Sequence, residues 1–167
     1  MSKTKDLLSE FKEEAKSTRK YLELVPMDKS DFKPHEKNFT LGKLASHVAE
    51  IPAWFPLILN GDELNFANSD FKPFEATTNE ELLKYFDDNV KKAEETLLKD
   101  FPDEDYDKTW TMRSNEKIYI QIPKSLAVRV WCLNHWYHHR AQLGVYLRLL
   151  GLPLPGIYGP TADEQEK

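Results

Sequence analysis

The segment from Pro123 to Leu150 restricts the fold more than any other part of the chain. It contains no second proline, opens on a residue suited to the first position of a helix, and stops at Gly151 with Pro153 close behind. One long helix is predicted. Val128, Trp131, Tyr146 and Leu149 fall on one side of it, and Leu126, Leu133 and Tyr137 on the other. A helix that is apolar all round has to be buried all round. The rest of the chain must therefore cover it, with help from a packed hairpin or from a second copy across a two-fold axis. A homodimer is expected on this ground.

The covering elements are legible. Lys5 to Leu24 sets Leu8, Phe11, Ala15, Thr18 and Leu22 at spacings of three and four, the stripe of an amphipathic helix. Pro26 and Pro34 then break the pattern. Thr40 caps a second helix that runs to Asn60-Gly61, with Leu44, His47, Ile51, Trp54 and Ile58 on one face. Pro52 and Pro56 each remove a backbone bond from it, so a kink is predicted. GDELNFANSDFKPFEA reads as a loop. Thr78 and Glu81 form a capping box for a third helix, from Asn79 to about Lys99. Alternation over Thr109 to Ile122, about an SNEK turn, predicts a short hairpin or extended excursion packed on the helices. The expectation is a single domain over 1–167 of all-α class, a four-helix bundle with that excursion before the last helix.

Composition narrows the function. Asp and Glu total 28 against 23 Lys and Arg, a formal charge of −5. Nucleic-acid affinity needs clustered cations on phosphates, whereas Lys91 and Lys92 are interleaved with acids. No nucleic-acid partner is expected. No run of about 18 apolar residues is present to span a bilayer, and the opening MSKTKDLLSEFKEEAKS lacks the apolar core of a signal peptide. The expectation is a cytoplasmic protein without a membrane partner. The single cysteine, Cys132, permits neither an intrachain disulfide nor a Cys-rich zinc module, and it is assigned to packing.

The chemistry-bearing residues cluster in Asn134-His135-Trp136-Tyr137-His138-His139-Arg140. His135 and His139 are one helical turn apart and project from nearly one face, which Gln142 and Tyr146 share. Two histidines at this spacing form half of a divalent-metal site. Neighbouring buried imidazoles cannot both be protonated cheaply, and one ion takes both lone pairs. His47, on the inner face of the second helix, is the natural third ligand. Three protein ligands leave positions for water or substrate. A plainer arrangement stands beside this one, with His135 and His139 hydrogen-bonded to core groups such as Gln142. Glu50, one turn after His47, is either a base or support for the metal, or a solvated carboxylate. Trp54, Trp131, Gln142 and Tyr146 are placed to wall a pocket, although aromatics at helical spacing are also core formers. Arg140 points about 100° away from the ligands and is expected to pair with an acid on a neighbouring helix. His35 and His138 are assigned structural or exposed places.

The segment from His135 to Leu143, preceded by Leu44-Ala45-Ser46-His47-Val48-Ala49-Glu50, resembles the DinB/YfiT-like superfamily. The likeness extends to the helix order, the GDELNF loop and the Gly- and Pro-rich tail. The resemblance implies a four-helix bundle with a metal held by three histidines, which by position are His47, His135 and His139. It also implies a thiol S-transferase using a low-molecular-weight thiol cosubstrate, or a thiol-dependent isomerase. Water activation at an open metal site would make a hydrolase instead. The reading is a metal-dependent transferase or hydrolase acting on a small-molecule substrate, with zinc or nickel foremost among the metals that suit imidazole. The alternative is a non-catalytic, metal-stabilised bundle serving in stress response or partner binding.

Overall fold

The computed structural model describes residues 2–68 and 72–165. Its main helices are α1 (Lys3–Glu23), α2 (Leu41–Glu50), α3 (Trp54–Asn60), α4 (Asn79–Leu97), α5 (Lys124–Ala127) and α6 (His135–Leu149). The caps follow the sequence. Thr40 Oγ1 accepts from Lys43 N, and Thr78 Oγ1 accepts from Glu81 N. Glu81 reaches back one residue further than a capping box needs, taking the backbone N–H of Thr77 at 2.9 Å.

The long helices α1 and α2 each pack against both α4 and α6, which makes a four-helix bundle with α1 and α2 at opposite corners. One aromatic from each of four helices fills its centre. Phe11 meets Phe55 edge-on at 4.8 Å and stacks on Trp136 at 5.5 Å, and Phe86 lies 6.1 Å from Trp136. All four are buried, as are Leu22, Leu44 and Leu82. No described helix is long and apolar enough to cross a membrane.

The predicted hairpin forms from β2 (Thr109–Ser114) and β3 (Lys117–Pro123), with Trp110 opposite Ile122. Part of the stretch read as a loop is a strand instead. β1 (Glu63–Asn65) pairs parallel to β2, Glu63 beside Thr111. A lone two-stranded hairpin is marginal, and this third strand extends it. Arg113 clamps Glu63 with two bonds of 2.9 Å, and half-buried Leu64 packs on the core. Three residues are too few for alternation to announce a strand.

The last helix also departs from expectation. Between α5 and α6 the residues Val128–Asn134 form a π-helical stretch. Bonds to the fifth residue take more residues per turn, so faces upstream and downstream fall out of register. Leu133 is fully buried, but Leu126, assigned to the same face, is 46 % exposed. At the far end Leu149, assigned to the histidine face, is 60 % exposed, and Val145 is 59 % exposed. The helix is therefore not buried all round within one chain. Beyond it the tail folds back. Asp163 receives Arg148 and the Leu154 N–H, and a short helix α7 (Ala162–Gln165) follows.

Candidate metal centre

The kink in the second helix builds the site. Pro52 has no N–H to give to the carbonyl of Val48, one turn back. The indole of Trp136 takes that place, with Nε1 donating to Val48 O at 3.1 Å. The carbonyl of Ala49 accepts from the Asn89 side-chain amide at 3.1 Å. Carbonyls released by the broken helix are thus satisfied from α6 and α4, as buried backbone demands. The first of these bonds pins Val48 to Trp136, and their chain neighbours are His47 and His135.

His47, His135 and His139 come together. One nitrogen from each ring lies within 4.8 Å of the others, and the ring centres are 4.6 to 4.9 Å apart. The Nε2 atoms of His47 and His135 are 3.1 Å apart. Two ligand nitrogens at about 2.0–2.1 Å from one tetrahedral ion would be roughly 3.3 Å apart, so this spacing suits a shared cation.

The outer nitrogens set the tautomers. His135 Nδ1 faces the carbonyl of Trp131 at 3.3 Å, and a carbonyl only accepts, so the proton sits on Nδ1 and the lone pair on Nε2. His139 Nδ1 meets Gln142 Oε1 at 2.8 Å, with the same consequence. His47 Nδ1 has the Glu50 carboxylate oxygen 4.0 Å away. The hydrogen-bonded arrangement with Gln142 and the metal arrangement are therefore complementary, because a bond at the outer nitrogen orients the inner one. A divalent cation fits this donor set.

Burial lowers the pKa of His47 and of His135 to about 4, the neighbouring rings adding to the effect, and it lowers that of His139 as well. All three rings are neutral at pH 7, the form that binds metal. They are half-buried rather than sealed.

A family model described as the DinB family matches residues 1–167. The chain belongs to the DinB family. A relative from Bacillus subtilis strain 168, the uncharacterized protein YrdA, is 28 % identical over 161 residues, covering 96 % of this chain and 90 % of that one. Two crystal structures share the fold. A DinB-like protein from Bacillus cereus ATCC 10987 aligns with a TM-score of 0.67 at 22 % identity, over 90 % of this chain and 95 % of that chain. A DinB-like protein from Bacillus subtilis, YjoA, aligns with a TM-score of 0.69 at 18 % identity, over 93 % of this chain and 99 % of that chain.

The other residues singled out in this DinB-family chain fall into separate places. Glu50 is buried, and burial raises its carboxyl pKa, with a hydrogen bond from the Trp54 indole pulling the other way. It lies at the Nδ1 edge of His47, away from the nitrogen that faces His135. Trp54 stacks on Trp131 at 6.0 Å, and Trp131 meets His135 edge-on. Tyr146 is buried, and its hydroxyl donates to the carbonyl of Phe39, whose ring approaches His47. Arg140 pairs with Glu14 on α1 at 2.6 Å. His35 and His138 are exposed, and Cys132 is buried, its thiol pKa raised by burial. The roles of Trp136 and Asn89 as caps for α2 are absent from the sequence-based expectation. Pro52 was the available signal, since it leaves one carbonyl without its helical donor.

Proposed function

We propose that this DinB-family protein is a divalent-metal-dependent enzyme that transfers a low-molecular-weight thiol to a small electrophilic substrate, with His47, His135 and His139 as the metal ligands. The carrying observation is that three neutral imidazoles turn one nitrogen each towards a common point while His135 and His139 are held from behind. Zinc and nickel are the metals that best suit such a set. A divalent ion held there lowers the pKa of a bound thiol and supplies a thiolate at neutral pH. In the transfer the thiol loses its proton to solvent, the sulfur–carbon bond forms, and the electrophile's leaving group departs with its electron pair.

The position of Glu50 favours thiol transfer over hydrolysis. It lies behind His47, 4.0 Å from Nδ1, and does not face the open side as a base for water would. The Trp131 carbonyl and the Gln142 side chain orient His135 and His139 from behind. The exposed apolar side chains Leu126, Val130, Val145 and Leu149 support a homodimer that covers part of them.

The test loads the purified protein with zinc or nickel and offers cysteine or glutathione with an epoxide or haloarene, following the conjugate by mass spectrometry. Conjugation should require metal and vanish in His135→Ala. Turnover that survives that substitution, or none with either metal, overturns the proposal. Light scattering at micromolar concentration should give the dimer mass, and a monomer refutes that part alone.

A further inference from the structure

Beside the histidine triad lies a partly open cavity of about 260 Å³ lined by Glu50, Trp54, Leu57, Leu64, Phe66 and Tyr85. Its walls are aromatic and aliphatic, and among the described residues no basic one lines it. Among the described residues Glu50 is the one carboxylate in the lining, and its side chain is only 9 % exposed. Among the described residues the only basic group within 4.0 Å of that carboxylate is His47, through Nδ1 at 4.0 Å, too long for a hydrogen bond. A buried carboxylate normally accepts several strong hydrogen bonds. This one accepts from the Trp54 indole, has acceptor capacity left over, and opens on a cavity whose aromatic faces attract cations.

We infer that this cavity is a binding site for a primary organic ammonium group on a short apolar body. The ammonium N–H groups donate to Glu50, while the rings of Trp54, Phe66 and Tyr85 receive the apolar part and the diffuse positive charge. A carboxylate with unmade hydrogen bonds selects a primary ammonium over a quaternary one, which has no N–H to give. The volume fits a fragment of benzylamine size and excludes a drug-sized molecule. Binding depends on the cavity alone. Only the step of calling the bound amine part of the substrate rests on the proposed transferase, and it places an amino group on the thiol or on the electrophile.

Three probes of one shape and different charge decide the matter: benzylammonium, benzyl alcohol and benzoate, titrated into the 167-residue chain with and without zinc. Calorimetry, with the summed tryptophan fluorescence beside it, gives the affinities. Benzylammonium should bind at least tenfold more tightly than the alcohol, and benzoate weakest, in both metal states. Glu50→Gln should erase the advantage of the ammonium, a loss of about 10- to 100-fold for a charge-assisted bond, and leave the alcohol unchanged. Leu57→Phe, which fills part of the cavity, should weaken ammonium and alcohol alike. Circular dichroism confirms that both variants fold. Equal binding of the three probes, a preference that survives Glu50→Gln, or no binding at millimolar concentration overturns the inference. Since turnover is not read, failure of the transferase reading leaves this result standing, and the reverse also holds.

Discussion

Replacing Arg140 by Met should destabilise the fold by about 3–5 kcal/mol, the usual effect of stranding one member of a buried ion pair. Arg140 is 3 % exposed and Glu14 is 8 % exposed. Nη1 lies 2.6 Å from the Glu14 carboxylate and also donates to the Glu14 carbonyl and to Thr18 Oγ1 at 3.1 Å. Nη2 donates to the Tyr158 hydroxyl at 2.7 Å. With Met in place, the Glu14 carboxylate stays buried and keeps only the Tyr158 hydroxyl, 3.0 Å away. The uncompensated charge outweighs whatever apolar contact Met adds.

Urea unfolding measures the loss, and for a chain of this length the melting temperature should fall by roughly 10 °C. The double variant Glu14→Leu, Arg140→Met removes both charges and should recover most of the stability, since well-packed apolar replacements of a buried pair are often neutral. The cycle then shows a coupling well above 0.5 kcal/mol. A single variant within about 1 kcal/mol of the parent, or a double variant no better than the worse single one, refutes the argument. The pair matters to the site because it ties α6 to α1 one residue after His139.

Removing the metal should cost the loaded protein about 4 kcal/mol if the ion is present at a thousand times its dissociation constant; chelator titration with thermal unfolding reads this, and His139→Ala should show neither bound metal by elemental analysis nor a chelator effect. The metal-free protein should lose stability as pH falls from about 6.5 through about 4, because His47 and His135 take up protons in the unfolded chain before they do in the folded one. Urea midpoints that stay flat across that window would show the rings to be solvated. Trp136→Phe keeps the ring in the core but leaves Val48 O without a donor, so it should cost about 1–3 kcal/mol and weaken metal retention; full retention at an unchanged unfolding midpoint contradicts the coupling.

Much of this was legible because it depends on local periodicity. The stripes of α1 and α4, the Thr40 and Thr78 caps, and the pairing of Arg140 with an acid on another helix follow from spacing and charge. The histidine pair was legible for the same reason, being one turn apart. The inner face of its helix points to His47 as the third ligand, but nothing in the order of residues says that α2 and α6 are neighbours, and the resemblance strengthens that link. Two features had no local signal. β1 is three residues long and exists through its partner strand. The π-helical stretch of Val128–Asn134 changes which residues share a face, and the even spacing of apolar residues gives no warning of it.

The kink and the histidine cluster are one device rather than two features that happen to adjoin. A straight second helix would satisfy the Val48 carbonyl from its own backbone and give Trp136 no buried acceptor there. With Pro52 in place the carbonyl needs a donor, and Trp136 supplies one only when α6 stands at a fixed height against α2. That height brings His135 beside His47. A hydrogen bond tolerates a few tenths of an ångström, about the precision a metal ligand set demands. The helix-breaking residue that weakens α2 as a local element is thus what gives the interface of α2 and α6 a single register, and the three imidazoles inherit that register.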